Sequence, residues 1–250
     1  MSQSEYLSVQ GIRVHYRTAG NGPVNLVLVH GAGGSWQALA PQLELGNSHL
    51  RVIIPDLPGH GQSGGLAQDS VPAYAEFLHE FTQNLGLNQF VLAGHSMGGA
   101  IAQEFALNWP ETLNALILLS TGARLRVGPA FLASLAQEAA GSPASALELN
   151  PNTDPETMIF SPMSRYLDYL ACDRFDRMEV IGQITLPTLV MVGEKDTSTP
   201  PKYARYLADK IPGAELVSIP EAGHLMALEA PDQVNFALRS FLHRFHPSPL

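Results

Sequence analysis

Gly94-His95-Ser96-Met97-Gly98 sets a serine between two glycines. The apolar run Phe90 to Ala93 precedes it, and a helix-like stretch from Met97 to Asn108 follows. A strand that turns this sharply into a helix lifts the serine off the strand end and needs glycine where Cβ atoms would collide. Ser96 would then occupy a backbone region that side chains normally avoid, at a cost on the order of 1–3 kcal/mol. Strain of that kind persists where function requires it, which makes Ser96 a candidate nucleophile. A G-x-S-x-G can also arise by chance in a chain with 22 glycines. The pentapeptide therefore needs a base, an acid and an oxyanion site in compatible places.

A serine hydroxyl is a poor nucleophile until a base takes its proton, and a neutral imidazole suits that task near neutral pH. Of the nine histidines, His224 is the best placed, in Pro220-Glu221-Ala222-Gly223-His224-Leu225-Met226, just past the expected strand Glu215 to Ile219. Activity should then fall on the acid side of a histidine's ordinary pKa of about 6.5. His30 and His60 belong to strand-end loops and need local hydrogen bonds. His15, His79, His243 and His246 fall where solvated positions are expected, and His95 should point away from Ser96.

The group that orients His224 should also lie at a strand end. Asp196, in Gly193-Glu194-Lys195-Asp196-Thr197, directly follows the run Thr188 to Gly193, with Glu194 as the fallback. Asp154, Asp168, Asp173, Asp176 and Asp209 lie in an inserted segment or on a helix, where solvated surface charge is the default. For the oxyanion, the N–H of Met97 heads a helix whose dipole adds to it. The N–H of Ala32, in His30-Gly31-Ala32-Gly33-Gly34-Ser35-Trp36, is the natural second donor. That loop is not a dinucleotide loop, because G-x-G-x-x-G would need glycine where Trp36 stands. No Walker loop, H-E-x-x-H or Cys/His cluster points to a nucleotide or a metal.

These residues must be carried by elements that end at one edge. Val24 to His30, Arg51 to Pro55, the elbow strand, Leu113 to Ser120 and Thr188 to Gly193 are continuous apolar runs, as expected for strands buried on both faces. Tyr6 to Val9 and Ile12 to Arg17 alternate around Gln10-Gly11 and predict a hairpin. Ser70 caps a predicted helix carrying Val71, Tyr74, Leu78 and Phe81, and further helices are expected at Pro201 to Ile211 and Pro231 to Phe245. Strands alternating with helices imply an α/β fold with a mostly parallel, doubly covered sheet, whose strand carboxyl ends gather function. Between Gly122 and Gly182 only helical patterns occur, at Pro129 to Ala140 and Pro155 to Ala171.

At 250 residues the chain can bury a full core as one domain, 1–250. Its net charge of −9 disfavours nucleic acid and anionic membrane as partners. No apolar run approaches membrane-spanning length, and no secretory signal opens the chain. The single cysteine, Cys172, reads as a packed small hydrophobe and fits a reducing, cytoplasmic setting.

Taken together, His30-Gly31-Ala32-Gly33-Gly34, Asp56-Leu57-Pro58-Gly59-His60-Gly61-Gln62-Ser63, Gly94-His95-Ser96-Met97-Gly98-Gly99, Gly193-Glu194-Lys195-Asp196 and Gly223-His224 resemble the capped type of the α/β-hydrolase fold, from about Tyr6 to Phe245. The resemblance implies a triad of Ser96, Asp196 and His224, an oxyanion hole at Ala32 and Met97, and no cofactor. It also implies that residues 122–182 form a helical cap over the site. Serine at position 96 argues against haloalkane dehalogenases and epoxide hydrolases, whose nucleophile is aspartate.

Substrate contacts are expected from Trp36, Phe131, Leu135, Phe160, Met163, Tyr166 and Leu225, although apolar helix faces usually just pack. Arg124, Arg126 and Arg165 could meet an acidic substrate but are surface residues by default. A mostly apolar cap favours a small-molecule ester with an uncharged acyl or alkyl group, and so a carboxylesterase. A carbon–carbon bond hydrolase, lactonase, thioesterase, perhydrolase or slow-turnover ligand receptor would use the same motifs.

Overall fold

The unbroken apolar runs do become the middle of a sheet. In the computed structural model, which describes residues 2–141 and 161–245, eight strands lie in the order β1-β2-β4-β3-β5-β6-β7-β8. They are β1 (Gln3–Val9), β2 (Ile12–Ala19), β3 (Val24–Val29), β4 (Leu50–Pro55), β5 (Phe90–His95), β6 (Leu113–Leu119), β7 (Thr188–Gly193) and β8 (Glu215–Ile219). β1 and β2 form an antiparallel hairpin that pairs antiparallel with β4; every other pairing is parallel.

Burial explains the sequence patterns. β5 and β7 are buried at every position, while the edge strands β1 and β8 alternate between exposed and covered residues. Along β3, Val27 and Val29 face one core and Leu26 and Leu28 the other. Such runs show no alternation because both faces of the central sheet are covered. Each fully buried Val or Leu contributes about 1.5–3 kcal/mol.

The first core packs the sheet against α1 (Val71–Asn84), α2 (Met97–Asn108) and α5 (Pro201–Lys210), through Phe81, Phe105 and Leu207. The second packs the other face against a 3-10 segment, Trp36–Leu45, and α7 (Pro231–Leu242), through Leu39, Leu45, Leu238 and Phe241. The sequence patterns did not reveal that 3-10 segment, which contains Pro41. Ser70 stands at the N-terminal cap position of α1, but its side chain makes no capping hydrogen bond.

The chain leaves β3 toward the second core and leaves its neighbour β5 toward the first. Connections that part to opposite faces open a crevice at the strand carboxyl ends. Between β6 and β7 the chain carries α3 (Pro129–Gly141) and α4 (Pro162–Arg174), which pack on each other. Among the described residues no helix is long and apolar enough to cross a membrane.

Candidate active site

Ser96 sits between β5 and α2 with φ 55° and ψ −116°, a conformation that costs a side-chain-bearing residue on the order of 1–3 kcal/mol. The turn is closed by contacts only glycine permits. A Cβ on Gly94 would stand 2.0 Å from the Gly98 oxygen, and one on Gly98 would stand 2.2 Å from the Val29 oxygen. The Ser96 N–H donates to the Leu119 oxygen at 2.9 Å, and Thr121 Oγ1 donates to the Ser96 oxygen at 2.8 Å. The serine is thus anchored to the neighbouring strand and its exit loop.

His224 Nε2 lies 3.0 Å from Ser96 Oγ, and His224 Nδ1 lies 2.9 Å from Asp196 Oδ2. Asp196 is buried, yet each of its oxygens has further donors. Oδ1 accepts from the N–H groups of Ser198 and Thr199 at 2.9 and 2.8 Å, and Oδ2 accepts from Thr199 Oγ1 at 2.8 Å. Burial pushes the Asp196 carboxyl upward, but the hydrogen bonds from His224 and Thr199 outweigh it and hold the pKa below its ordinary value. Asp196 is therefore ionised and can orient the imidazole and stabilise its cation. With Nδ1–H toward the carboxylate, Nε2 is free to accept the serine proton.

Two N–H groups border the serine. Met97 begins α2, and Ala32 lies in the loop after β3, where a Cβ on the preceding Gly31 would stand 3.1 Å from Ser96 Cβ. Neither N–H has a protein acceptor among the described residues.

The His224 loop is held from two sides. Glu229, in the short helix α6 (Met226–Glu229), accepts from the Gly223 N–H at 2.5 Å and the Leu225 N–H at 3.0 Å. The His95 ring lies 2.8 Å from the His224 carbonyl oxygen. That contact commits it to the backbone of the candidate base.

Other expectations are corrected. Trp36 does not lie over the serine. Its N–H donates to Asp56 Oδ1 at 2.8 Å, and its ring packs against the second core with Arg17 4.6 Å above it. The start of the 3-10 segment carries the indole toward the opposite face from α2. His15 is not solvated: it is fully buried, with Nδ1 2.8 Å from Asp56 Oδ2. Asp168 is not a surface charge either, being fully buried on α4. Its signal lay in the spacing of Ser164, Asp168, Ala171 and Cys172, which share one buried face of that helix. A carboxylate on such a face demands partners.

The remaining expected contacts lie on the inserted helices and beside the base. Phe131 meets Tyr169 edge-on at 5.1 Å, Leu135 is buried within α3, and Tyr166 is half-buried on α4. Met163 and Leu225 are exposed. Phe160 lies outside the described residues. Arg124 and Arg126 both pair with Asp176, and Arg165 pairs with Glu138 at 3.5 Å, all at exposed positions.

Residues 26–237 match the model of the Alpha/beta hydrolase family. A Pseudomonas putida relative, the dihydrolipoyllysine-residue acetyltransferase component of an acetoin cleaving system, is 30% identical over 253 residues, which cover 92% of this chain and 66% of that protein. The chain thus spans just under two thirds of that relative. A pimeloyl-(acyl-carrier protein) methyl ester esterase of Pseudoalteromonas atlantica is 30% identical over 244 residues, 83% of this chain and 90% of the relative. Among solved structures, a thermophilic esterase from Thermogutta terrifontis superposes with a TM-score of 0.83 at 27% identity, over 98% of this chain and 99% of that one. With the family match extending across most of the strand-end loops that build the site, the chain belongs to the α/β-hydrolase family.

Proposed function

We propose that the chain is a serine carboxylesterase acting on small to medium uncharged esters. Ser96 Oγ attacks the ester carbonyl carbon while His224 Nε2 takes its proton, and Asp196 holds the resulting imidazolium. The carbonyl oxygen becomes an oxyanion that accepts from the N–H groups of Ala32 and Met97. Collapse of the tetrahedral intermediate breaks the bond to the alkoxy oxygen, which leaves as the alcohol with the proton from His224. Water, activated by the same histidine, then attacks the acyl-enzyme and releases the acid and Ser96.

The observation that carries this reading is the unbroken relay from Asp196 Oδ2 through His224 to Ser96 Oγ, at 2.9 and 3.0 Å, with the N–H groups of Ala32 and Met97 left without a protein acceptor among the described residues. The esterase relatives favour an ester over other acyl substrates. Residues 122–182 act as the cap of the single domain, with Phe131, Leu135, Met163 and Tyr166 contributing its apolar surface and Leu225 the wall beside His224. Cys172, buried in α4, is consistent with a cytoplasmic setting.

A panel of p-nitrophenyl esters from acetate to octanoate tests the reading. Turnover should favour the shorter chains, and Ser96→Ala should lower kcat by at least about 10³-fold. A fluorophosphonate should label Ser96. Full hydrolysis by Ser96→Ala, or labelling of another residue, would sink the assignment.

A further inference from the structure

Asp168 gathers three separate stretches of chain around one fully buried carboxylate on α4. Its Oδ2 accepts from the Gly33 N–H at 2.7 Å and lies 2.7 Å from His60 Nε2, while Oδ1 accepts from the Tyr74 hydroxyl at 2.5 Å. Gly33 belongs to the loop after β3, His60 to the loop after β4 and Tyr74 to α1. One turn earlier in α4, Ser164 Oγ donates to the Gly59 oxygen at 2.8 Å. The helix from the insert is therefore fastened to both loops that border the crevice.

The protonation of this cluster follows from its geometry. His60 Nδ1 faces the Pro58 oxygen at 2.9 Å and Nε2 faces the carboxylate. Both partners are acceptors, so both ring nitrogens carry protons and His60 is an imidazolium paired with Asp168. The adjacent His30, 5.2 Å away between ring centroids, has the opposite environment. Its Nε2 accepts from the Leu57 N–H at 3.1 Å and its Nδ1–H donates to the Gly31 oxygen at 2.9 Å, which makes it neutral. Burial lowers the His30 pKa to about 4. Burial also opposes the charge on His60, but Asp168 outweighs it and raises that pKa above the ordinary value.

A buried ion pair is seldom better for stability than apolar packing of the same volume. What this one does is fix a peptide plane. The Gly33 N–H shares its plane with the Ala32 carbonyl, so a charged acceptor there sets the ψ angle of Ala32. The Gly34 N–H, donating to the Gly31 oxygen at 3.1 Å, closes the same turn from the other side. Between these two restraints the Ala32 N–H has little freedom in where it points.

We infer that Asp168 is a positioning residue: by holding the Gly33 N–H it aims the Ala32 N–H at the developing oxyanion, so that the hole is complete only when α4 is docked. This rests on the esterase reading of Ser96. A preorganised donor acts on the transition state more than on the bound ester. The loss should therefore appear in kcat and leave KM nearly unchanged.

Asp168→Asn should lower kcat for p-nitrophenyl acetate by about 10- to 100-fold, up to the effect of losing one oxyanion donor, with KM within about twofold. Asp168→Glu keeps the charge beside His60 but moves the carboxylate by one carbon–carbon bond, and should lower kcat by at least about fivefold. Phosphonylation of Ser96 should slow in parallel. A folded Asp168→Asn or Asp168→Glu with kcat within twofold of the parent would overturn the inference, as would a loss confined to KM. If neither variant folds, the parent chain decides through its Gly33 amide, which must resist hydrogen exchange; fast exchange there also overturns the inference. Absence of ester hydrolysis by the parent, or hydrolysis retained by Ser96→Ala, would instead overturn the esterase reading, while Gly33 exchange would still report on the loop.

Discussion

His95 Nε2 lies 2.8 Å from the carbonyl oxygen of His224. The residue before the candidate nucleophile thus holds the backbone of the candidate base, across 129 positions of sequence. Facing a carbonyl, Nε2 must carry the proton. Burial above all, and the nearby His224, lower the His95 pKa to about 4. The ring is locked as a neutral donor to the His224 backbone.

The same burial makes the fold sensitive to acid. His30 and His95 both have folded pKa values of about 4 against an ordinary 6.5. Between those values the unfolded chain binds two protons that the folded chain refuses. Stability is therefore fully present above pH 6.5 and falls as the pH drops toward 4, by about 1.4 kcal/mol per pH unit for each histidine. The raised His60 adds nothing in this window, since it is protonated both folded and unfolded below pH 6.5; its contribution is lost only as the pH rises through its folded pKa. Urea midpoints should fall steeply from pH 7 to pH 5. In His95→Gln, whose amide can still donate to the His224 oxygen, the dependence should be about half as steep. A midpoint independent of pH across this range would contradict two buried neutral imidazoles.

Glu229 supports the candidate base in another way. Its two oxygens take the N–H groups on either side of His224, at Gly223 and Leu225. In Glu229→Gln one of these N–H groups faces an amide NH2 and loses its acceptor. The His224 loop should then sample other orientations, and kcat should drop by about 10-fold, the cost of about 1.4 kcal/mol in transition-state stabilisation. Both carboxylate oxygens are committed to these two N–H groups, so KM should hold. A stopped-flow comparison of acylation rates would separate this from slower product release. An unchanged acylation rate would show that the loop keeps its place without Glu229.

Much of the sheet was legible because β3, β5, β6 and β7 are apolar runs that no amphipathic pattern interrupts. The juxtaposition of Ser96, Asp196 and His224 has a related sequence signal: each stands in the first few residues after a strand. The 3-10 segment from Trp36 to Leu45 left no periodic trace, since Pro41 interrupts any helical pattern. Asp168 reads as surface charge in the sequence because a carboxylate on a helix is usually solvated. Only the tertiary approach of Gly33, His60 and Tyr74 makes it buried and paired. Trp36 was misplaced because side-chain direction in a glycine-rich loop is set by contacts distant in sequence, here the Asp56 carboxylate that accepts its N–H.

That misplacement yields a clean distinction between fold and site. The Trp36 indole is half-buried against the second core, with the Arg17 guanidinium over its face. Among the described residues, its hydrogen bond to the strand-end loops is made by its backbone N–H, which every residue but proline retains. Trp36→Ala should cost stability through lost apolar burial and a lost cation–π contact, about 1–3 kcal/mol for a partly exposed ring. Because α2 and Ser96 lie toward the other face of the sheet, kcat/KM for p-nitrophenyl esters should stay within about twofold of the parent at temperatures where both are folded. Urea unfolding and initial-rate kinetics on the same preparation measure the two effects side by side. A large rise in KM without loss of stability would return the indole to the substrate pocket and contradict its position beneath Arg17.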